Sequence, residues 1–544
     1  MGRISFNNLS EAFIDAASKY ADKQFLSNDI NLTFTYSEAK TKAIHISEQL
    51  RDLGIGKNDK VAIIAENTPL WAIAYFAIML ADATAVPILP EFSAEDIAKL
   101  LNHSESKAVF ASSKQALKID SKLPLFEIKE RDVVLSRNQE KPTARRSPEP
   151  IISSDLASII YTSGTTGTPK GVMLTHDNFL QNTEGCWAIQ DVNSEDVFLS
   201  VLPLAHSYEF TIGLILPMVA GSTINYLSKP PSVSTLLPAL ATIRPTTMLT
   251  VPLIIEKIFK GGIKPKLQKS KVTATIYSTL LGRKLLHYLA GKELKKKFGG
   301  RVRFFGVGGA KLDWETERFL SEAKFPYSIG YGMTEASPLL AGAPPSKTKL
   351  YSTGPTVINQ ELQIVNPNPK TGIGEIWARG RNVMAGYYKQ PELTSEIITS
   401  DGWLKTGDLG KITHNGYLYI CGRLKNIILG SNGENIYPED IEAILNRHEL
   451  VIESLVYEFK GKLIAKVHLN YEQFEKQYNE FKNAAQNLQR EYEIKKEELL
   501  KDLQTYVNSK VGRASQLTAV KDQANPFEKT PTLKIKRYLY TSKK

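Results

Sequence analysis
Apolar positions along this chain fall into two alternating patterns: short unbroken runs, and longer stretches where they recur every third or fourth residue. Ser10, followed by Phe13, Ala16, Ala17 and Tyr20, predicts a capped helix. Phe34-Thr35-Tyr36 predicts a strand ahead of a helix from Ser37 to Leu53, which Gly54 ends. Lys60 to Ala65 reads as a buried strand. Asn67, Thr68 and Pro69 then supply a cap and a first-turn proline for a helix through Ala81. Strand–helix repetition of this kind predicts a layered α/β fold with a mostly parallel sheet.

The same pattern singles out one stretch. An apolar run, Leu156 to Tyr161, leads into nine residues made only of Ser, Gly, Thr, Pro and Lys, then a second run at Val172 to Leu174 and a helix start after Thr175. Gly164, Gly167 and Gly171 let backbone N–H groups approach a ligand, and Ser163, Thr165, Thr166 and Thr168 add hydroxyls. Lys170 adds a mobile positive charge. These are the parts of a phosphate cradle, although the spacing is not that of a Walker A loop. A plain hairpin tip would need far fewer donors.

Two more strands run into glycine-marked turns. FFGVGGAKL, Phe304 to Leu312, offers bare backbone to a flat ligand, and SIGYGMTEAS, Ser328 to Ser337, carries Tyr331, Thr334 and Glu335. Ligands of open α/β sheets collect at such strand ends, and a carboxylate near a phosphate cradle suits Mg²⁺. From Tyr351 to Tyr419 short strands and turns predict a small β-barrel-like block, in which Asp408 sits among glycines and suits a ribose diol. Residues Tyr471 to Lys510 contain no Gly or Pro. Apolar positions Phe474, Tyr478, Phe481, Ala485, Leu488 and Tyr492 predict a helical hairpin or docking helix there. The chain closes on a basic, strand-like tail, Pro526 to Tyr540.

Composition narrows the class. At 544 residues the chain needs two to four domains, and its 42% hydrophobic and 23% charged content is ordinary for a soluble protein. Cys186 and Cys421 show no metal or redox spacing, which points to a reducing compartment. The N-terminus has no hydrophobic signal region, and Phe6 stands where a myristoylation signal wants Ser or Thr. The most apolar windows, Trp71 to Leu89 and Phe210 to Leu227, are interrupted by Asp82 and Pro217 and read as core. The expected location is cytoplasmic. Charge is uneven: Lys257 to Arg303 holds fourteen Lys/Arg against one acid, Glu293, an excess larger than the whole-chain +11. That stretch is either a solvated face or an attraction for a phosphorylated cofactor, an acidic carrier protein or the inner, anionic face of a membrane. No nucleic-acid-binding module accompanies it.

The motifs YTSGTTGTPKG, LPLAHSYE, VGGAKL, GYGMTEASP, GWLKTGD, GRLKN, SNGENIYPEDIE and FEKTPTLKIKR occur in this order. Together they resemble the adenylate-forming (AMP-binding) superfamily and, within it, bacterial long-chain fatty-acid CoA ligases. The resemblance implies an N-terminal adenylation domain, 1–423, of two layered α/β subdomains (1–140 and 151–345) plus a small β-barrel (346–423). A small mobile α+β domain, 424–544, with a helical segment near 471–510, would follow. It further implies that Thr162, Ser163, Gly164, Thr165, Thr166, Gly167 and Lys170 hold ATP phosphates. Gly308, Gly309, Ala310, Tyr331 and Gly332 would enclose adenine. Thr334 would lie by the α-phosphate, Glu335 and Thr165 on Mg²⁺, and Asp408 and Arg423 on the ribose. Lys425 would be the hinge, His206 would flank the acyl entrance, and Lys534 would be the adenylation lysine. Relatives often carry Gly before that lysine, where this chain has Leu533, so its assignment over Lys536 rests on the downstream KIKR pattern. The implied reaction joins a fatty acid to CoA through an acyl-adenylate, with release of AMP and pyrophosphate. An acyl–acyl-carrier-protein synthetase and a non-catalytic nucleotide-binding scaffold are the alternatives. Acyl length is not read from the sequence, and a homodimer stays open.

Overall fold
The computed structural model describes residues 4–120, 122–137, 144–162, 170–229, 231–429, 435–480, 488–529 and 535–541. The chain divides into two compact units. One comprises Met1–Gln363, Trp377–Thr406 and Thr413–Leu418; the other comprises Ile364–Ile376, Gly407–Ile412 and Tyr419–Lys544.

The first unit is layered α/β, as the repetition of strands and helices predicts. Its eight-stranded sheet runs Gly386–Tyr387, Lys170–Thr175, Leu156–Thr162, Thr84–Ile88, Lys60–Ile64, Ser106–Ser112, Leu125–Ile128, Val133–Arg137. The central strands are parallel, and antiparallel pairing is confined to the hairpin 156–175 and the two edges. A seven-stranded sheet runs Tyr327–Ile329, Phe304–Val307, Thr247–Thr250, Val197–Ser200, Thr223–Tyr226, Gln24–Asn28, Thr33–Thr35, parallel except at the last pair.

Local chemistry explains where the first helices begin. Helix α1 (Leu9–Lys19) is capped by Asn8, whose side chain accepts from the Glu11 amide, not by Ser10, which lies buried in the first turn. Asparagine caps as well as serine does, so composition alone did not separate them. Helix α2 (Tyr36–Asp52) starts at a capping box of Thr35 and Glu38. Tyr36, expected in the strand, is therefore its first helical residue, and its hydroxyl donates to the Ser222 carbonyl at 2.8 Å. Helix α3 (Pro69–Leu80) is capped by Thr68, and every residue from Pro69 to Met79 is buried. Its Phe76 stacks on Phe13 of α1 at 4.1 Å, and its Trp71 on Tyr75 at 5.9 Å. The apolar window at Trp71 is thus core. Among the described residues no helix is long and apolar enough to cross a membrane.

Helix α4 (His176–Gln190) follows the hairpin and is capped by Thr175. The basic stretch folds as helices, chiefly α5 (Lys271–Ser278) and α6 (Leu280–Lys297), followed by α7 (Trp314–Glu322). Helix α6 buries one face, His287, Gly291 and Leu294. A Cβ on Gly291 would lie 2.6 Å from Ala323 Cβ, so only glycine allows that approach.

In the second unit, strands Val451–Phe459 and Lys462–Leu469 form a hairpin through Lys460 and Gly461, both at positive φ. Ala519–Asp522 adds a parallel strand. Ile441, Leu445, Val456, Val467, Leu503 and Val507 form its core with two flanking helices, Pro438–Leu445 and Leu488–Asn508. The Gly- and Pro-free stretch gives helix Tyr471–Glu480 and helix Leu488–Asn508, and Phe474 meets Tyr492 edge-on at 5.2 Å. Much of the expected apolar stripe, Tyr478 to Leu488, lies outside the described side chains. The tail is not a simple strand. Lys529 bridges Ile535, and Tyr538–Thr541 is a helical turn, anchored where Arg537 pairs with Glu442 at 2.7 Å.

Strands Gln360–Val365, Gly374–Gly380, Leu404–Ile412 and Leu418–Arg423 form a four-stranded sheet in that order, and the division between the two units passes through them. Among the described residues the first and last strands do not pair, so this sheet is open where a barrel was expected.

Candidate active site
The hairpin stem sets the frame of the cradle. Strands Leu156–Thr162 and Lys170–Thr175 pair up to Thr162 opposite Lys170. Ser163, Gly164, Thr165, Thr166 and Gly167 lie outside the described residues. A Cβ on Gly171 would come 2.9 Å from Ile159 and 3.3 Å from Tyr388, so glycine leaves room beside the stem for the segment 386–388, whose Gly386–Tyr387 pairs antiparallel with the outer stem strand. There Tyr388 N–H donates to the Gly171 carbonyl at 2.8 Å.

That pairing brings three side chains together. The Lys170 ammonium sits over the Tyr387 ring, 5.1 Å from its centroid, and the Tyr387 hydroxyl donates to Glu335 Oε1 at 2.8 Å. Burial and the neighbouring Glu335 carboxylate both hold Tyr387 protonated, so it stays a donor. Lys170 and Glu335, the expected cradle cation and the expected Mg²⁺ carboxylate, thus meet on one aromatic ring.

The segment behind Glu335 is bonded from several sides. Thr334–Ala336 form a 3₁₀ turn. The Asn182 amide of α4 donates to the Ala336 and Leu339 carbonyls at 3.2 and 2.8 Å and accepts from the Leu339 N–H at 3.1 Å. The Asn382 amide donates to the Ala336 carbonyl, Met384 N–H donates to the Glu335 carbonyl, and Thr211 donates to the Ser337 carbonyl. Ser337, at φ 69°, donates its hydroxyl to the Asn382 carbonyl. Ser207 lies 3.5 Å from the Thr334 hydroxyl, joining the segment after His206 to this turn. Tyr331 is buried in a two-residue strand paired with Ala341, and Gly332 is exposed beside it; a Cβ there would strike the Pro338 carbonyl at 2.0 Å.

The other glycine turn follows strand Phe304–Val307. Gly308 N–H donates to the Thr250 carbonyl, and a Cβ on Gly308 would meet the Tyr208 ring at 3.1 Å. Gly309, at φ +85°, and Ala310 are exposed. A Cβ on Gly309 would meet only Val251, at 3.7 Å, so the backbone there is open to a flat group.

In the second unit, Arg423 pairs with Asp408 at 3.0 Å; Asp408 is buried and Arg423 half exposed. Gly407, at φ +69°, precedes Asp408, and its N–H donates to Glu375 at 3.3 Å. Lys425 lies in a 3₁₀ turn, Leu424–Asn426, pinned where the Asn426 amide donates to Glu439. Lys534 lies outside the described residues. Its downstream neighbour Lys536 is 3.8 Å from Glu528.

Three residues here escaped the sequence reading. Tyr387 and Asn182 stand in ordinary strand and helix contexts, and only an aromatic pair after Gly386 hinted at the first. The third, Glu209, closes the motif LPLAHSYE, which gives it no role; it is fully buried in a π-helix, Glu209–Ile215, where burial pushes its carboxyl up to about 8. A Cβ on Gly213 would lie 2.5 Å from its Oε1, so glycine makes room for the acid.

Among the described residues no group of three or more His, Cys, Asp or Glu could hold a metal ion by itself. A lone carboxylate such as Glu335 fits Mg²⁺, which is commonly held by one or two carboxylates together with substrate phosphates.

Residues 13–388 match the family model described as AMP-binding enzyme. The chain belongs to the AMP-binding enzyme family. It is an adenylate-forming ligase of that family. Long chain acyl-CoA synthetase 6, peroxisomal, of Arabidopsis thaliana is 30% identical over 84% of this chain and 73% of its own length. Long-chain-fatty-acid–CoA ligase FadD15 of Mycobacterium bovis is 29% identical over 80% of this chain and 77% of its own. Among solved structures, the O-succinylbenzoate CoA synthetase MenE of Bacillus subtilis, in complex with ATP and magnesium ion, superposes with a TM-score of 0.74 at 22% identity. That likeness covers 97% of this chain and 98% of the other. ATP-bound MatB of Rhodopseudomonas palustris gives 0.76 at 22%, over 98% of each chain. These structural likenesses show a shared fold.

Proposed function
We propose that this AMP-binding enzyme activates a long-chain fatty acid with ATP and Mg²⁺ to an acyl-adenylate and transfers the acyl group to CoA, releasing AMP and pyrophosphate. The observation that carries the reading is the Lys170–Tyr387–Glu335 cluster: a cation and a carboxylate held on one ring, where a polyphosphate and its metal need both. The names of the relatives above support the long-chain acid and the CoA acceptor.

In this reading 1–423 is the adenylation domain and 424–544 a mobile domain turning at Lys425. The cradle Thr162–Lys170, with Thr165, holds the phosphates. Gly308–Ala310, Tyr331 and Gly332 enclose adenine, Asp408 and Arg423 take the ribose, and His206 flanks the acyl entrance. A carboxylate attacking the α-phosphorus brings anions together, so the barrier is largely electrostatic. Bound Mg²⁺ supplies charge neutralisation on the phosphate oxygens. The chain's own part is to fix cationic and hydroxyl donors where charge grows: Lys170 at the cradle, Thr334 by the α-phosphate and Lys534 at the carboxylate.

Replacing Lys534 with Ala is expected to lower acid-dependent ATP–pyrophosphate exchange by at least about a hundredfold while sparing thioester formation from preformed acyl-adenylate. Equal loss of both half-reactions would remove Lys534 from the role. Pyrophosphate release across a series of acyl lengths, with free CoA and an acyl carrier protein as rival acceptors, tests the substrates. A strong carrier preference would replace CoA as acceptor, and no AMP formation with any carboxylate would leave a nucleotide-binding scaffold.

A further inference from the structure
Helix α6 is apolar on two opposite faces. One face, His287, Gly291 and Leu294, is buried. The other carries Leu281 at 80% exposure, Leu285 at 57% and Leu289 at 52%. Residues 281, 285 and 289 are spaced by four and so share one stripe, about 12 Å long. Helix α5 extends it with Val272 and Ile276, one turn apart and both exposed. The two helices meet closely at their turn, where a Cβ on Gly282 would strike the Ile276 carbonyl at 2.2 Å.

Lysines border this stripe. Lys266, Lys269, Lys271, Lys284, Lys292 and Lys295 are all exposed, and none is in an ion pair among the described residues. Other cations of the stretch are engaged elsewhere: Lys260 with Asp313, Lys264 with Glu315 and Arg283 with Glu322. Tyr288, at the edge of the stripe, carries the Lys292 ammonium 4.7 Å and the Lys324 ammonium 5.9 Å from its ring centroid. An apolar body with an aromatic and lysines at its border suits the boundary between acyl chains and headgroups.

We infer that the exposed face of α5 and α6 docks on an anionic lipid bilayer, with Leu281, Leu285 and Leu289 entering the acyl layer and the surrounding lysines meeting lipid phosphates. The inference rests on the proposed function only in that a bilayer is where a long-chain acid is found. A second copy of this chain fits poorly, since a twofold contact would press the basic stretch against itself. A leucine standing 80% clear of its neighbours enters a fluid layer without needing a matched pocket, which a folded acidic protein would have to supply.

The test is co-sedimentation of the full chain with phosphatidylcholine vesicles, with and without phosphatidylglycerol, alongside L281E/L285E/L289E and K284E/K292E variants. The wild type is expected on the anionic vesicles only. The leucine variant should partition at least about tenfold more weakly, and the lysine variant should lose most of the salt-sensitive part. Leu285→Trp should show a blue-shifted emission, quenched by brominated acyl chains. Unchanged binding of the leucine variant, or no wild-type binding, overturns the inference. So does a concentration-dependent dimer that the leucine substitutions break without any vesicle binding. An unchanged thermal midpoint of the variants separates docking from misfolding. Co-sedimentation does not depend on turnover, so absence of acid-dependent exchange would count against the proposed function alone.

Discussion
Helices α3 and α6 both carry apolar residues on more than one face, yet the fold uses them in opposite ways. Helix α3 lies inside the first unit, with Trp71, Tyr75 and Phe76 fully buried and aromatic partners on several sides. Helix α6 buries one face against α7 and leaves the other to solvent. A helix that is apolar all round needs partners all round. In α3 the chain supplies all of them. In α6 it supplies half, and the uncovered half is the face inferred to meet lipid.

The contrast is measurable. Trp71→Ala in α3 is expected to cost about 3–5 kcal/mol in urea unfolding, because the cavity cannot collapse between packed neighbours. A cost below about 1 kcal/mol would mean the interior is loose.

A smaller effect separates the helices by pH. The buried His287 ring of α6 lies with Nδ1 2.7 Å from Glu322 and Nε2 3.2 Å from the Tyr277 hydroxyl, and burial lowers its pKa despite Glu322. Its neutral form is then the native one, donating Nδ1–H to the carboxylate. The unfolded chain takes up a proton near pH 6.5 that the folded chain resists, so stability present above that pH is lost as the solution is acidified through it. Glu322, held below its usual range chiefly by Arg283 against the opposing effect of burial, adds loss of the same sign at lower pH. With the intrinsic pH dependence of amide exchange divided out, protection across α6 should therefore fall between pH 7.5 and 5.5, while that of α3, whose buried Tyr75 stays protonated, should not respond. His287→Gln should flatten the α6 response; an unchanged response would assign it elsewhere.

The smallest effect is expected at Leu285→Ser, within about 0.5 kcal/mol of wild type by the same urea titration. A cost of several kcal/mol would show that this face is covered after all, and the two helices would no longer differ.

How much of this was legible follows from where each signal lies. The cap of α3 was readable because Thr68-Pro69 is a local code, and the glycine turns were readable because each ends an apolar strand. Asn8 was missed because two capping residues lie within one turn of each other. Tyr387 was missed because its role depends on Lys170 and Glu335, and the triad spans more than two hundred residues of sequence. The exposed stripe of α6 could not be read either: periodicity marks a helix, but which apolar face is covered is decided by α7 and its Glu322. Likewise the open four-stranded sheet and the strands expected to close as a barrel share one sequence pattern, since closure depends on which edges meet.

The hydrogen bonds of Asn182, Asn382 and Thr211 behind Glu335 have one more consequence. They form without any ligand, so the entropy of ordering this turn is given up when the protein folds rather than on binding. If Glu335 holds the metal as proposed, affinity there is set by charge and geometry, and the turn should be equally rigid before binding, between turnovers and after product leaves.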